Sequence, residues 1–185
     1  MKKKQRRPRI TVNFNNVMSE NIGAKGVKVS DISALGKRIK QAAKNLKQKR
    51  EDAFLGFMYL PYDVKVKEEV KKTAELIRGR FENFVVLGIG GSALGTIALK
   101  NALKHPFYNM LPQEKRKGPK LFVMDNIDPE TAVGLFDVID LKKTVINIIT
   151  KSGATAETVA FMKILWTALE KKAGRGKLKD HIIIT

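Results

Sequence analysis

Apolar positions along this chain follow one period in the first eighty residues and a different one afterwards. Over 31–48, Ile32, Leu35, Ile39, Ala42, Ala43 and Leu46 recur at helical spacing with lysine and arginine on the other face, the pattern of an amphipathic surface helix. The segment AFLGFMYLPYD at 53–63 reads as a partly buried connector ending at Pro61. Beyond it Val66, Val70, Ala74 and Ile77 form a second helical stripe. The period then changes. Phe84-Val85-Val86-Leu87-Gly88-Ile89 is a short apolar run rich in β-branched residues and ending in glycines, and 121–124, 145–149 and 182–184 repeat its character. Strands of a parallel sheet look like this because both of their faces are covered. Between the runs, 92–104, 129–139 and 155–172 read as helices, so each strand reaches the next through a crossover that lays a helix on the sheet. The expected fold class is α/β, a three-layer α-β-α sandwich around a parallel sheet, preceded by a helical N-terminal extension. The chain divides on this reading into a basic, flexible segment at 1–30, a helical lead-in at 31–80 and the sheet domain at 81–185. No internal repeat goes beyond the alternation of strand and helix.

Composition narrows the chemistry. With 185 residues and 43% hydrophobic side chains, the chain can build a real core. It contains no cysteine and only His105 and His181, which excludes disulfides, thiolate nucleophiles and Cys- or His-rich metal sites. No apolar run is long enough to span a bilayer, and no apolar run follows the lysine-rich start as a secretion signal would require, so a cytoplasmic chain is expected. The formal charge is +18, of which residues 1–50 carry +13, with Glu20 and Asp31 as their only acids. KKKQRRPR at 2–9 would attract polyanions, but no aromatic residues are interleaved with it and no helix-turn-helix follows. A solvated tail is the simpler reading, and nucleic acid is not expected as a partner.

Two strand-to-helix turns carry the chemical signal. The first, Gly88-Ile89-Gly90-Gly91-Ser92-Ala93-Leu94-Gly95, lets the backbone turn sharply and brings amides close to an anion at a helix N-terminus. Gly88-x-Gly90-x-x-Ala93 also fits a dinucleotide fingerprint, but the ribose-binding acid due about twenty positions on is missing. The second turn is Thr150-Lys151-Ser152-Gly153-Ala154-Thr155-Ala156-Glu157-Thr158, with three hydroxyls beyond the strand end around a helix start. Such hydroxyls and amides suit a phosphate dianion. Ordinary N-capping by Ser152 or Thr155 would need only one of them. Both turns lie at carboxyl ends of strands, where open α/β sheets bind ligands, which favours one shared site.

FVVLGIGGSALG (84–95), FVMDNIDPE (122–130) and NIITKSGATAET (147–158), in this order and spacing, resemble the N-terminal sugar isomerase (SIS) domain of the glucose-6-phosphate isomerase family. The likeness runs from about residue 50 to Thr185. It implies that Gly91 and Ser92 of the first turn, and Thr150, Lys151, Ser152, Gly153, Ala154 and Thr155 of the second, hold the phosphate of a sugar phosphate, with Thr158 at the margin. It also implies an aldose-ketose isomerase of glycolysis and gluconeogenesis, without cofactor and homodimeric at full length. Its catalytic glutamate, histidine and lysine come from a second SIS domain and a C-terminal segment that do not match here, so no catalytic residue is expected in 1–185, and the SIS domain is expected to be cut short at its C-terminal end. Glu157 fits a helix-dipole role, Asp128-Pro129-Glu130 fits a helix start beside Asp125, and the two histidines fit structural or solvent-exposed roles. The alternative functions are a non-enzymatic sugar-phosphate sensor and, less well supported, a dinucleotide-binding domain.

Overall fold

The computed structural model describes residues 11–185, so the cationic run at 2–9 and the first part of the expected flexible segment lie outside the described residues. The chain forms two compact units that meet in sequence between Asp63 and Val64. In the first, a 3-10 turn at Asn15–Val17, helix α1 (Ser19–Ile22) and a second 3-10 turn at Gly23–Lys25 close a small loop, sealed where the Ser19 amide donates to Val27 O and the Val27 amide to Val17 O, both at 2.9 Å. Met18 is buried there at 7% exposure.

The expected helix over 31–48 is two helices, α2 (Val29–Ala34) and α3 (Gly36–Glu51). It starts before Asp31 because the Asp31 carboxylate accepts the Lys28 amide at 3.2 Å, making it the third helical residue of a capping box rather than the first. It breaks at Leu35, whose amide is shared between Asp31 O and Ile32 O just ahead of Gly36. The 53–63 segment is buried only at Leu55 and Met58, and there by half, which is less than its apolar sequence suggests. Phe54, Phe57 and Tyr62 are each more than two-thirds exposed. Its 3-10 turns at Gly56–Met58 and Leu60–Tyr62 are too short to enclose a core, and its rings cover the end of α3 instead: Lys49 lies 5.5 Å from the Phe54 ring, and the Tyr59 hydroxyl donates to Arg50 O at 2.8 Å.

The second unit begins with α4 (Val64–Arg80) and holds the sheet: β1 (Asn83–Leu87), α5 (Gly91–Leu103), a short α6 (Gln113–Arg116), β2 (Lys120–Met124), α7 (Pro129–Val138), β3 (Thr144–Ile148), α8 (Ala156–Ala173) and β4 (Ile182–Ile184). All pairings are parallel, in the order β2-β1-β3-β4, with Leu87 opposite both Met124 and Ile148. Alternate strand residues face opposite layers. Val85, Leu87, Met124, Ile146 and Ile148 pack with Ala132 and Leu135 of α7 and Phe161, Leu165 and Leu169 of α8 as the main core. On the other face, the α4 stripe of Val66, Val70, Ala74 and Ile77 shares a cavity of about 560 Å³ with Phe84, Leu121, Asn147 and Ile183, while Ala93 of α5 is fully buried. This is the expected three-layer arrangement, with one face packed tightly and the other loosely.

Asp128 caps α7 as its sequence context suggests, accepting the Glu130 amide at 3.1 Å and the Thr131 hydroxyl at 2.6 Å. The Thr131 hydroxyl, then the amides, hold its carboxyl below the usual carboxylate range, so its contribution is present above the unfolded-state pKa and is lost as pH falls through the lowered one. At the amino ends of the strands lies a buried polar knot that the sequence pattern does not reveal. Thr144, fully buried, donates its hydroxyl to Asp140 O at 2.6 Å and accepts the Asn83 side-chain amide at 3.2 Å. Its carbonyl meets His181 Nδ1 at 2.7 Å, and the His181 ring stands edge-on to Phe81. At the carboxyl end of β1, Gly88 is hemmed in: a Cβ there would sit 2.9 Å from Ser92 Cβ and 3.1 Å from Ile149 O.

Two stability measurements follow from these contacts. Thr144→Val keeps the shape but leaves Asn83 and Asp140 O without their partner, and its urea midpoint should correspond to a loss of about 1–3 kcal/mol. Gly88→Ala forces the first turn away from β3 and should cost about 1–3 kcal/mol by the same readout, as overpacking does.

Candidate functional site

The strand order turns back at β1. The chain leaves β1 toward β2 on one side, while β3 and β4 lie on the other. Connections departing in opposite directions open a crevice at the carboxyl ends of the two central strands, and ligands of open α/β sheets bind there. Both turns singled out in the sequence flank this point: 88–91 continues β1, 149–155 continues β3, and the register sets Leu87 beside Ile148. The two turns touch, since the Ile149 amide donates to Leu87 O at 2.8 Å and the Ile149 carbonyl lies against Gly88.

Local geometry leaves donors at this rim. Gly90 takes φ +57° at the entry to α5, a left-handed conformation that glycine adopts without strain, and turns the chain so that Gly91 starts the helix and Ser92 is half-buried behind it. Among the described residues, no protein acceptor takes the Gly91 amide, or the amides of Ala156, Glu157 and Thr158 at the start of α8. These are the orphan N–H groups of two helix N-termini, with the positive ends of both macrodipoles behind them.

The hydroxyls of the second turn divide by role. Thr150 Oγ1 accepts the Gly153 amide at 3.0 Å and Ser152 Oγ accepts the Ala154 amide at 3.2 Å. Both bonds fix a rotamer and leave the hydroxyl proton available to a ligand. Thr155 holds the N-cap position of α8 without a side-chain capping bond, so capping does not account for its hydroxyl. Gly153 at φ +69° closes the turn, Lys151, Ser152 and Ala154 are exposed, and Thr158 is buried at 4% exposure in the first turn of α8. The sequence reading missed the buttress: Thr185 accepts the Thr150 amide at 3.0 Å through its carbonyl, and its hydroxyl donates to Asn147 Oδ1 at 3.0 Å, tying the second turn to the end of β4. Only a register between β3 and β4 could have signalled it.

Glu157 is exposed in the first helical turn, His181 belongs to the knot at the opposite end of the strands, and exposed His105 accepts the Phe107 amide at 3.0 Å. Among the described residues no helix is long and apolar enough to cross a membrane.

The family model for phosphoglucose isomerase matches residues 64–185, the whole of the second unit. A glucose-6-phosphate isomerase of Carboxydothermus hydrogenoformans is 44% identical over 177 residues, covering 95% of this chain and 38% of that protein. One from Rubrobacter xylanophilus is 37% identical over 95% of this chain and 39% of its own length. Among solved structures, a hypothetical protein from Thermus thermophilus superposes with a TM-score of 0.67 at 32% identity, over 84% of this chain and 35% of that one. A glucose-6-phosphate isomerase from Chlamydia trachomatis gives 0.51 at 30% identity, over 64% and 22%. The chain thus spans under two-fifths of the length of these curated relatives. With a matching model over the entire sheet unit and these relatives along nearly its full length, this chain belongs to the phosphoglucose isomerase family.

Proposed function

We propose that the crevice between β1 and β3 binds the phosphate of a hexose phosphate, and that this chain carries the phosphate-binding half of the active site of a glucose-6-phosphate isomerase. One observation carries the reading: two turns, each opening a helix with unused amides, leave adjacent strands at the point where the strand order turns back. The phosphate oxygens take hydrogen bonds from the Gly91 amide and the Ser92 hydroxyl on one side. On the other they take them from the Thr150, Ser152 and Thr155 hydroxyls and the Lys151 amide, while the Gly153 and Ala154 amides, bonded to Thr150 Oγ1 and Ser152 Oγ, aim those hydroxyls at the ligand. Hydroxyls and amides suit this ligand because they hold it through dipoles without a fixed ion-pair geometry. Lys151 adds a mobile charge at the rim. Thr158, buried as it is, acts through its backbone amide.

The reaction interconverts glucose 6-phosphate and fructose 6-phosphate: the ring opens and a proton moves between the first two carbons, converting aldose to ketose. Those carbons lie at the far end of the hexose from the phosphate. A base for them has to stand well away from the turns that hold the phosphate, which disqualifies Glu157. Anchoring the remote phosphate fixes the sugar so that a proton-transfer group elsewhere meets the right carbon, which is how binding energy distant from the reacting atoms serves catalysis. We place those groups outside residues 1–185, in the part of the whole protein that the curated relatives possess and this match does not reach. On the same reading, 81–185 is the sugar isomerase domain proper, and the whole protein is a cytoplasmic homodimer of glycolysis and gluconeogenesis without a resident cofactor.

Calorimetric titration with glucose 6-phosphate tests the anchor. Ser152→Ala and Thr155→Ala should each weaken binding by about 1–3 kcal/mol, the scale of a hydrogen bond to a charged group, while Lys151→Gln should cost less. Unchanged affinity in both hydroxyl variants would remove the second turn from the site. In a coupled isomerase assay the purified 185-residue chain should bind the sugar phosphate without turning it over, and robust turnover would contradict the placement of the base.

A further inference from the structure

At the opposite end of the sheet, beside the amino ends of β1 and β2, lies a second concavity with a different character. It encloses about 470 Å³, within the size range of small-molecule sites. Arg78, Lys104, Arg116 and Lys117 line it together with Phe84 and Tyr108, and no carboxylate does. None of the ion pairs among the described residues engages any of these four cations. Like charges gathered without a counter-charge repel one another, a cost that a bound anion relieves.

The pocket is built from several elements. Tyr108 is buried, its hydroxyl donates to Arg116 O at 3.4 Å, and Lys104 lies 4.9 Å from its ring centroid. Arg116 is committed to the protein: its Nε donates to Gly118 O at 3.3 Å and its Nη1 to Leu111 O, which folds the 116–118 loop around Tyr108. Lys117 closes α6 at φ +55°, a left-handed conformation uncommon for any residue but glycine. Arg78, Lys104 and Lys117 are exposed and keep their donors for a ligand, while Arg116 contributes charge. The inner wall is apolar, and Arg78, Phe84, Pro119 and Leu121 also border the 560 Å³ cavity beneath α4.

We propose that this concavity is a second anion site, separate from the sugar-phosphate crevice, and that it takes a nucleotide-type ligand. Three mobile cations and one fixed one call for at least a diphosphate, and the apolar wall of Phe84, Pro119 and Leu121 accepts a flat ring system.

The test is calorimetric titration of the 185-residue protein with ADP at physiological salt, in which saturable one-site binding is expected. Arg78→Gln/Lys104→Gln should weaken it at least about tenfold, since hydrogen bonds to charged groups of this kind are worth that much. Because the protein carries a formal +18, Lys171→Gln/Lys172→Gln on α8 serves as the matched charge control and should change the affinity less than about twofold. Ser152→Ala/Thr155→Ala should leave ADP binding unchanged, and inorganic pyrophosphate should bind more weakly than ADP. Absence of ADP binding, equal losses in the two charge-removing pairs, loss on altering Ser152 and Thr155, or pyrophosphate binding as tightly as ADP would each overturn the assignment. Lys117→Gln, on an exposed side chain, repeats the test should the first pair fail to fold.

Discussion

Two parallel strands, β1 and β3, lie side by side while their chains depart in opposite directions, and the site depends on this juxtaposition. The hydrogen-bond register between them sets their carboxyl ends level, so both turns leave the same edge of the sheet, and the helices that follow, one on each face, start with amides that no protein acceptor takes. Neither turn achieves this alone. The Ile149 amide donates to Leu87 O, its carbonyl presses on Gly88, and Thr185 holds the second turn from the far side through Thr150. A side chain at position 88 would therefore disturb the proposed anion site although the donors assigned to it all lie on other residues. The buried Asn83, Thr144 and His181 hold the same strands at their opposite ends, so register is secured at both ends of the sheet.

Most of the sheet unit was legible because its signals are local. Short apolar runs marked the strands, the first of them ending at glycine, helices started at Asp128-Pro129 and at Thr155, and element ends fell within a residue or two of the pattern. The two turns were legible for the same reason, since glycines and hydroxyls between an apolar run and a helical stripe mark a strand end and a helix start within a few residues. What escaped were features set by partners distant in sequence. The Thr144 knot joins residues 61 and 37 positions apart, and the Thr185 buttress spans 38. The cationic pocket is assembled from α4, the end of α5 and the loop before β2, and no spacing rule relates those segments. In the first unit, apolar content misled: the rings of 53–63 suggested burial, but Phe54, Phe57 and Tyr62 stay exposed, and Phe54 and Tyr59 meet the cationic end of α3.

The two faces of the sheet differ in ways that bear on function. The α7 and α8 face is a continuous apolar core in which Phe161, Leu165 and Leu169 are almost completely buried. It gives α8 a rigid seat, and thereby fixes the N-terminus that carries the hydroxyl turn. The α4 face encloses open space and exposes Val70 and Leu76 by more than half. The second turn thus starts the helix of the rigid layer, while the first turn starts α5 on the looser one, and that looser layer also borders the concavity whose cations have no carboxylate partner among the described residues.

The central claim is that both turns grip one phosphate. Amide chemical shifts followed by NMR during titration with glucose 6-phosphate test it most directly. The account predicts that Gly91, Ser92, Ser152 and Thr155 shift together along a single saturation curve, with inorganic phosphate moving the same set more weakly. Shifts confined to one turn, separate curves for the two, or a response centred away from both would contradict it.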